Sequence, residues 1–167
     1  MLQKYLRQQR EIILKKWFDL TVSAYEPEMI RFIQRVKNPF ANPVRHSISS
    51  GLEKIYDGIV KNMQIDSCLE GLEEIIKVRA VQSFKPSHAL SFLYALKDIV
   101  REGLKKGDDI PTEELNRFDK YMDQIMGMAF DIYCDCREKI FDIRVAETVS
   151  RSRRAFGLLE RRKEENR

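Results

Sequence analysis

Apolar residues recur every three or four positions along most of the chain, a spacing that predicts amphipathic helices. It predicts helices over 3–24, 28–37, 44–63, 67–83, 86–106 and from 112 onward. The apolar positions of the first helix are Leu6, Ile12, Ile13, Trp17, Leu20 and Ala24. The sequence contains no period-two alternation bounded by hairpin signals, so the predicted fold class is all-α.

Proline, glycine and asparagine mark the boundaries between these helices. Pro27 ends the first helix, and the two Asn-Pro steps of NPFANP, residues 38–43, force a break before the third. Asn42 is a good N-cap for that third helix, because Pro43 then takes the first helical position, where a missing N–H has no consequence. Pro86 opens the fifth helix, and Gly103 and Gly107 end it.

The predicted helix from Thr112 onward is the longest, and its apolar positions keep spacings of three and four over many turns. A stripe sustained for that length favours packing along a partner helix as well as along the chain's own core. We therefore expect a homodimer, and the candidate dimer stripe consists of Phe118, Met122, Ile125, Ala129 and Ile132.

Composition indicates one domain with a basic end. The chain has 167 residues, of which 43% are apolar and 34% charged, and its formal net charge is +4. Residues 151–167 carry seven Lys or Arg and three Glu, so this segment alone accounts for the net charge. We divide the chain into a helical domain, 1–150, and a basic tail or helix extension, 151–167. The nearly neutral domain argues against nucleic-acid binding.

The sequence predicts neither export nor membrane insertion. No run of about 18 uncharged apolar residues occurs, and the charged N-terminal segment lacks the apolar core of a signal peptide. We expect a cytoplasmic protein whose cysteines are reduced thiols. Cys134 and Cys136 lie two residues apart on one helix and point away from each other, so they do not chelate one ion together. Cys136 is expected in the core and Cys134 at the surface.

Residues that could carry chemistry are few. His46 and His88 are the only histidines, and no carboxylates or thiols cluster beside them, so neither a metal nor another cofactor is expected. Haem held by a lone histidine such as His88 is the alternative. No serine, threonine or cysteine lies in a recognisable nucleophile context, which indicates that the chain is not an enzyme.

Arg79 interrupts the apolar pattern of the fourth helix, where an unpaired guanidinium would be very unfavourable. A salt bridge inside the fold is one solution, and an anionic ligand or a partner's carboxylate is the other. The candidate ligand or partner contacts combine polar and aromatic groups near helix starts, as small-ligand pockets do. They are Arg45, His46, Arg79, His88, Phe92 and Tyr94.

Four blocks between about Leu14 and Glu147 resemble the N-terminal sensor domain of the RsbT co-antagonist proteins, the RsbR/RsbRD stressosome family. They are Trp17 with Tyr25-Glu26-Pro27, NPFANPVRHSISSGLEKIYDGI from Asn38, IIKVRAVQSFKPSHALSFLYALKDIVREGL from Ile75, and FDIYCDCREKIFDIRVAE from Phe130. The two middle blocks are the specific ones, since many long helices look like the last.

The resemblance implies an all-helical, globin-like bundle without haem, in a bacterial stress-response protein that dimerises through helices and passes a signal along its last helix to a STAS domain. Too few residues follow Glu147 for such a domain, so we expect a separate STAS-type or other signalling protein to receive the signal. The expected function is a non-enzymatic sensor or regulatory domain with a small molecule as its candidate ligand. The alternative is a helical assembly partner of a larger complex with no ligand of its own.

Overall fold

The computed structural model describes residues 1–61, 63–82, 84–104 and 110–165, and it describes only the backbone of residues 159–160 and 162–165. Within these ranges every regular element is helical, which confirms the all-α prediction. The globin-like arrangement stays a prediction. The described elements are α1 Leu2–Gln8, α2 Arg10–Val22, α3 Pro27–Arg35, α4 Pro43–Lys61, a 3₁₀ turn Ile65–Cys68, α5 Leu69–Val81, α6 Pro86–Ala89, α7 Ser91–Leu104 and α8 Thr112–Glu165.

Helices α4 and α5 form the centre of the bundle; α2 packs against α4 and α7, and α8 packs against α5. The backbones of α4 and α5 approach most closely at Gly51 and Gly71, where a Cβ atom added to Gly71 would stand 2.5 Å from the Gly51 carbonyl oxygen. Only glycine permits this approach. The apolar side chains around the crossing, each at most 1% exposed, are Leu52, Ile55, Leu72, Ile75 and Ile76.

The helix boundaries follow the predicted punctuation. Asn42 is buried and caps two helices at once. Its Oδ1 accepts the backbone N–H of Arg45 at 2.9 Å, and its Nδ2 donates to the carbonyls of Ile33 and Val36 at 3.4 and 3.0 Å. The side chain therefore satisfies the start of α4 and the end of α3, which confirms its role as an N-cap.

The predicted helix over 3–24 is two helices, because the backbone bends at Gln9 (φ −98°, ψ 12°). The buried residues Leu2, Leu6, Ile13 and Trp17 keep spacings of four, seven and four through the bend. Trp17 is fully buried on α2, whereas Ile12 and Leu20, predicted on the same stripe, are 56% and 50% exposed. The prediction that these two residues face the core is wrong.

The predicted helix over 86–106 also divides, into α6 and α7, at Leu90. The carbonyls of His88 and Ala89, which an uninterrupted helix would use for its own hydrogen bonds, accept instead from the guanidinium of Arg79. Side-chain capping therefore explains the break. The last two residues of this predicted helix and Gly107 lie outside the described residues.

Helix α8 is 54 residues long. Its first half packs against α5, α6 and α7. From Phe141 to Phe156 every side chain is exposed, so this part of the helix leaves the bundle. The helix runs without a break through the predicted domain boundary at residue 150, which makes the described part of the basic segment a helix extension.

Candidate functional site

Arg79 is a buried cation at the junction of α2, α5 and α6, with 0% of its surface exposed. Its Nη1 donates to the carbonyls of His88 and Ala89 at 3.1 and 2.9 Å, and its Nη2 donates to the carbonyl of Thr21 at 2.7 Å. These oxygens lie at the C-terminal ends of α6 and α2, where partial negative charge favours a cation. No carboxylate of the described residues pairs with Arg79, so the salt-bridge alternative is wrong there.

Three aromatic rings surround the guanidinium. Its Cζ atom lies 5.3 Å from the ring centroid of Phe92, 5.4 Å from that of Phe84 and 5.6 Å from that of Tyr25. These distances lie within the range of cation–π attraction. The rings of Tyr25 and Phe84 also meet edge to face, with centroids 5.0 Å apart. We refer to Arg79, Tyr25, Phe84 and Phe92 as the aromatic cage.

Two buried polar atoms of the cage have no hydrogen-bond partner: Nε of Arg79 and Oη of Tyr25. Burial lowers the pKa of the Arg79 guanidinium and raises the pKa of the Tyr25 hydroxyl, and the attraction and hydrogen bonding between the two side chains oppose both shifts. The two groups thus interact with each other, although neither Nε nor Oη meets a partner in good hydrogen-bond geometry. Buried donors without acceptors are rare in native proteins and call for an explanation.

A cavity of about 470 Å³ opens on the solvent side of the cage. This volume lies in the usual range for small-molecule sites. The lining includes two members of the cage, and the residues are Ala24, Tyr25, Glu26, Met29, Gln82, Phe84, Lys85 and His88. Half of these lining residues are apolar or aromatic. The polar ones include one acidic residue, Glu26, and two basic residues, Lys85 and His88.

Helix α8 is hydrogen-bonded to the segment that forms this wall. The hydroxyl of Tyr133 donates to the carbonyl of Phe84. One turn further along α8, Nη1 of Arg137 donates to the carbonyl of Ala80 at 3.0 Å, at the end of α5. The end of α5 and the loop that follows it are thus tied to consecutive turns of α8, so a shift of Phe84 reaches α8 through a direct hydrogen bond.

The structure brings together half of the residues predicted as ligand or partner contacts. Arg79 and Phe92 belong to the cage, and His88 contributes its carbonyl to Arg79 while its side chain lines the cavity. Tyr94 is 56% exposed on α7.

The predicted pair at the start of α4 lies elsewhere. Nη1 of Arg45 donates to the carbonyl of Ile33 at 2.8 Å, and its guanidinium lies 4.8 Å from the ring centroid of Phe18. These contacts join α4 to α3 and α2, which is a structural role. His46, the next residue, is exposed.

Sequence reasoning did not single out Tyr25 and Phe84. Both share one pattern, since each lies two residues before a proline that opens a helix, Pro27 and Pro86. This aromatic-x-Pro pattern is the feature of the sequence that could have identified both residues, because it places an aromatic ring where the chain enters a helix.

The candidate dimer stripe lies mostly inside this chain's own core. Phe118, Met122, Ile125 and Ala129 are each at most 1% exposed, and Ile132 packs against the same core. These side chains are covered in the single chain. The exposed apolar side chains of α8 are others: Phe130, Phe141, Ile143, Val145, Val149, Phe156 and Leu158.

Cys68 is buried, Cys134 exposed and Cys136 half-buried. Among the described residues no group of three or more His, Cys, Asp or Glu side chains is placed to hold a metal ion. No helix in the described ranges is long and apolar enough to cross a membrane.

The fold and the site define the class: an all-α domain built around a buried cation, whose last helix continues out of the bundle. The model of the RsbT co-antagonist protein rsbRD N-terminal domain matches residues 11–148. The chain belongs to this family, a family of regulatory domains in stress signalling, which confirms the resemblance inferred from the sequence.

A similar protein, described as uncharacterized, occurs in Archaeoglobus fulgidus. It is 26% identical over 104 residues, which is 60% of this chain and 66% of the relative, just under two thirds of the relative's length. No solved structure matches the chain.

Proposed function

We propose that this domain is a cytoplasmic, non-enzymatic regulatory module that acts as a homodimer, senses a signal at the aromatic cage and relays it along α8 to a separate signalling partner. One observation carries the proposal: α8, which bonds to Phe84 in the cavity wall through Tyr133 and to the end of α5 through Arg137, extends beyond the bundle with exposed apolar side chains. A two-state element of this kind can be biased by a ligand with different affinities for the two states.

The exposed part of α8 offers a face for a second copy of the chain. At about 100° per residue, the five side chains that define this face fall within a sector of about 100° of the helix surface. They are Phe130, Phe141, Val145, Val149 and Phe156, between 44% and 68% exposed. An apolar stripe along a helix that leaves its own core is the pattern by which helices pair in parallel dimers. We call this the outer face of α8.

Light scattering after size-exclusion chromatography tests the dimer. We expect the wild type to be dimeric and Phe141→Asp to be monomeric, because the charge lies on the outer face. Ile143→Asp is the matched control: it is 60% exposed but lies about 200° around the helix from Phe141. A monomeric wild type, or equal loss of the dimer in both variants, would refute the proposal.

Cys134 lies on the outer face, four residues after Phe130, and is exposed. In a parallel pair of α8 helices the two Cys134 side chains face each other, within reach of a disulfide. Mild oxidation should then give a covalent dimer that Cys134→Ser abolishes. A wild-type dimer that does not cross-link at Cys134 would contradict the parallel arrangement.

The basic helix extension favours a partner with an acidic surface, because Arg151, Arg153 and Arg154 are exposed on it, with Arg151 and Arg153 on either side of the outer face. It also supports the second candidate function, an assembly partner without a ligand. Arg153→Glu with Arg154→Glu separates the two. If this variant only loses partner binding, both candidate functions remain compatible with the result. If α8 of the same variant still responds to a ligand, the domain is a sensor.

A further inference from the structure

We infer that the cavity beside the aromatic cage binds a small organic carboxylate, whose two oxygens accept from Nε of Arg79 and Oη of Tyr25 and whose apolar body lies against Met29 and Phe84. This inference rests on the sensory role proposed above, and it names the class of ligand.

Arg79 lacks a full counter-charge within the described residues. Arg79 is buried, and three backbone carbonyls surround it, but no described carboxylate neutralises it. Carbonyl dipoles carry only partial charge. An anion that reaches the guanidinium replaces the missing counter-charge in a site of low dielectric, where the attraction is strong.

Two buried donors of the cage are poorly satisfied. Nε–H of Arg79 and Oη–H of Tyr25 interact with each other, but neither meets an acceptor in good hydrogen-bond geometry. They belong to side chains whose charged and aromatic groups are in contact, with Cζ of Arg79 5.6 Å from the Tyr25 centroid. A carboxylate offers two acceptor oxygens to two such donors. A phosphate dianion would bring more oxygens than the described donors of the cage can satisfy.

The cavity beside the cage suits a ligand with an apolar body. Its volume is about 470 Å³, and it has apolar walls at Ala24, Met29 and Phe84. The cationic Lys85 in the lining attracts an acid, and Glu26, also in the lining, opposes a second negative charge. The site thus fits a monoanion with a ring or a short hydrocarbon chain.

Ligand entry acts on α8. Arg79 is not among the residues that line the cavity, and both donor atoms are buried, so the carboxylate reaches them only when the Phe84 ring moves aside. The carbonyl of Phe84 accepts from Tyr133 of α8. α8 therefore takes one arrangement when the site is empty and another when it is filled. The ligand binds the second arrangement more tightly and shifts the population of molecules towards it.

The test is a titration of the full chain with phenylacetate and with its uncharged analogue phenylacetamide, followed by calorimetry and by the Nε–Hε resonance of Arg79 in NMR spectra. We expect phenylacetate to shift that resonance saturably, and phenylacetamide to bind at least tenfold more weakly. Benzoate and indole-3-acetate extend the series to smaller and larger bodies.

Tyr25→Phe keeps the ring and removes one of the two donors. We expect the ligand-free variant to be at least as stable as the wild type, because an unpaired buried hydroxyl is lost, and to bind phenylacetate roughly 10- to 100-fold more weakly. Tyr94→Phe is the matched control, since its hydroxyl lies on an exposed side chain of α7 and both properties should stay unchanged.

Three results would overturn the inference: no saturable response to the three acids at about 10 mM, equal binding of acid and amide, or a lower Tm for ligand-free Tyr25→Phe. The last would mean that the hydroxyl already has a partner. Light scattering on the same samples separates this failure from failure of the proposed function, because a dimer that ignores carboxylates retains the outer-face mechanism and refutes only the ligand.

Discussion

Gly71→Ala should destabilise the protein, although alanine is the better helix former. The added Cβ would lie 2.5 Å from the Gly51 carbonyl oxygen and 2.9 Å from Cγ1 of Ile55. Such contacts need at least about 3.0 Å, so α4 and α5 must separate by roughly half an ångström at their crossing. Since the obstacle is backbone, it cannot rotate away.

The magnitude follows from two opposing terms. Higher helix propensity stabilises the variant by about 1 kcal/mol. Overpacking at a backbone contact destabilises it by about 3 kcal/mol, because the separation loosens the central helix pair. The net loss of about 2 kcal/mol corresponds to a Tm about 4–8 °C lower for a domain of this size.

Thermal unfolding followed by circular dichroism measures this loss against Gly127→Ala, a matched control in α8. A Cβ at Gly127 meets nothing within 4 Å. There the propensity term acts alone, so the Tm should rise by about 2–4 °C. If Gly71→Ala were as stable as Gly127→Ala, the close approach of α4 and α5 would be refuted.

Three further predictions concern single groups. Asn42→Ala should lower the free energy of unfolding in urea by about 2 kcal/mol, because it removes the caps of α3 and α4 together; a loss below about 0.5 kcal/mol would contradict the double cap. The hydrogen bond from the Leu2 N–H, together with the N-terminal amine, lowers the pKa of Glu114 from its ordinary 4.5. A lowered pKa stabilises the fold above the ordinary value and loses that effect as the pH falls, so the Tm advantage of the wild type over Glu114→Gln should shrink from about pH 7 to about pH 3; a constant difference would argue against it. Burial raises the pKa of the Cys68 thiol, so a maleimide should label exposed Cys134 in the native protein and Cys68 only after unfolding, as mass spectrometry of the peptides would show; rapid native labelling of Cys68 would contradict its burial.

Periodicity predicted which segments are helical, and Pro43 and Pro86 predicted where two of the helices, α4 and α6, begin. It could not predict the break at Leu90, because that break depends on Arg79, which reaches across from another helix to take the carbonyls of His88 and Ala89. Local spacing contains no information about such a contact. The bend at Gln9 is similar, since the apolar pattern continues through it and no proline or glycine marks it.

The candidate site was predictable in part. An arginine in an apolar pattern had to find an acceptor, and this reasoning located Arg79. Its partners were not predictable, because Tyr25 and Phe84 come from two loops that meet only in the folded chain. The stripe from Phe118 to Ile132 shows the opposite difficulty: a single apolar face does not reveal whether it will be covered by its own chain or by another copy.

The extension of α8 also acts as a lever. From Phe141 to Glu165 the helix spans roughly 37 Å at 1.5 Å per residue. A tilt of about 5° at the turns held by Tyr133 and Arg137 would move its far end by about 4 Å, the scale on which packed interfaces change register. A rearrangement at the cage that leaves the bundle unchanged would therefore displace the far end of α8 by enough for a partner protein to detect.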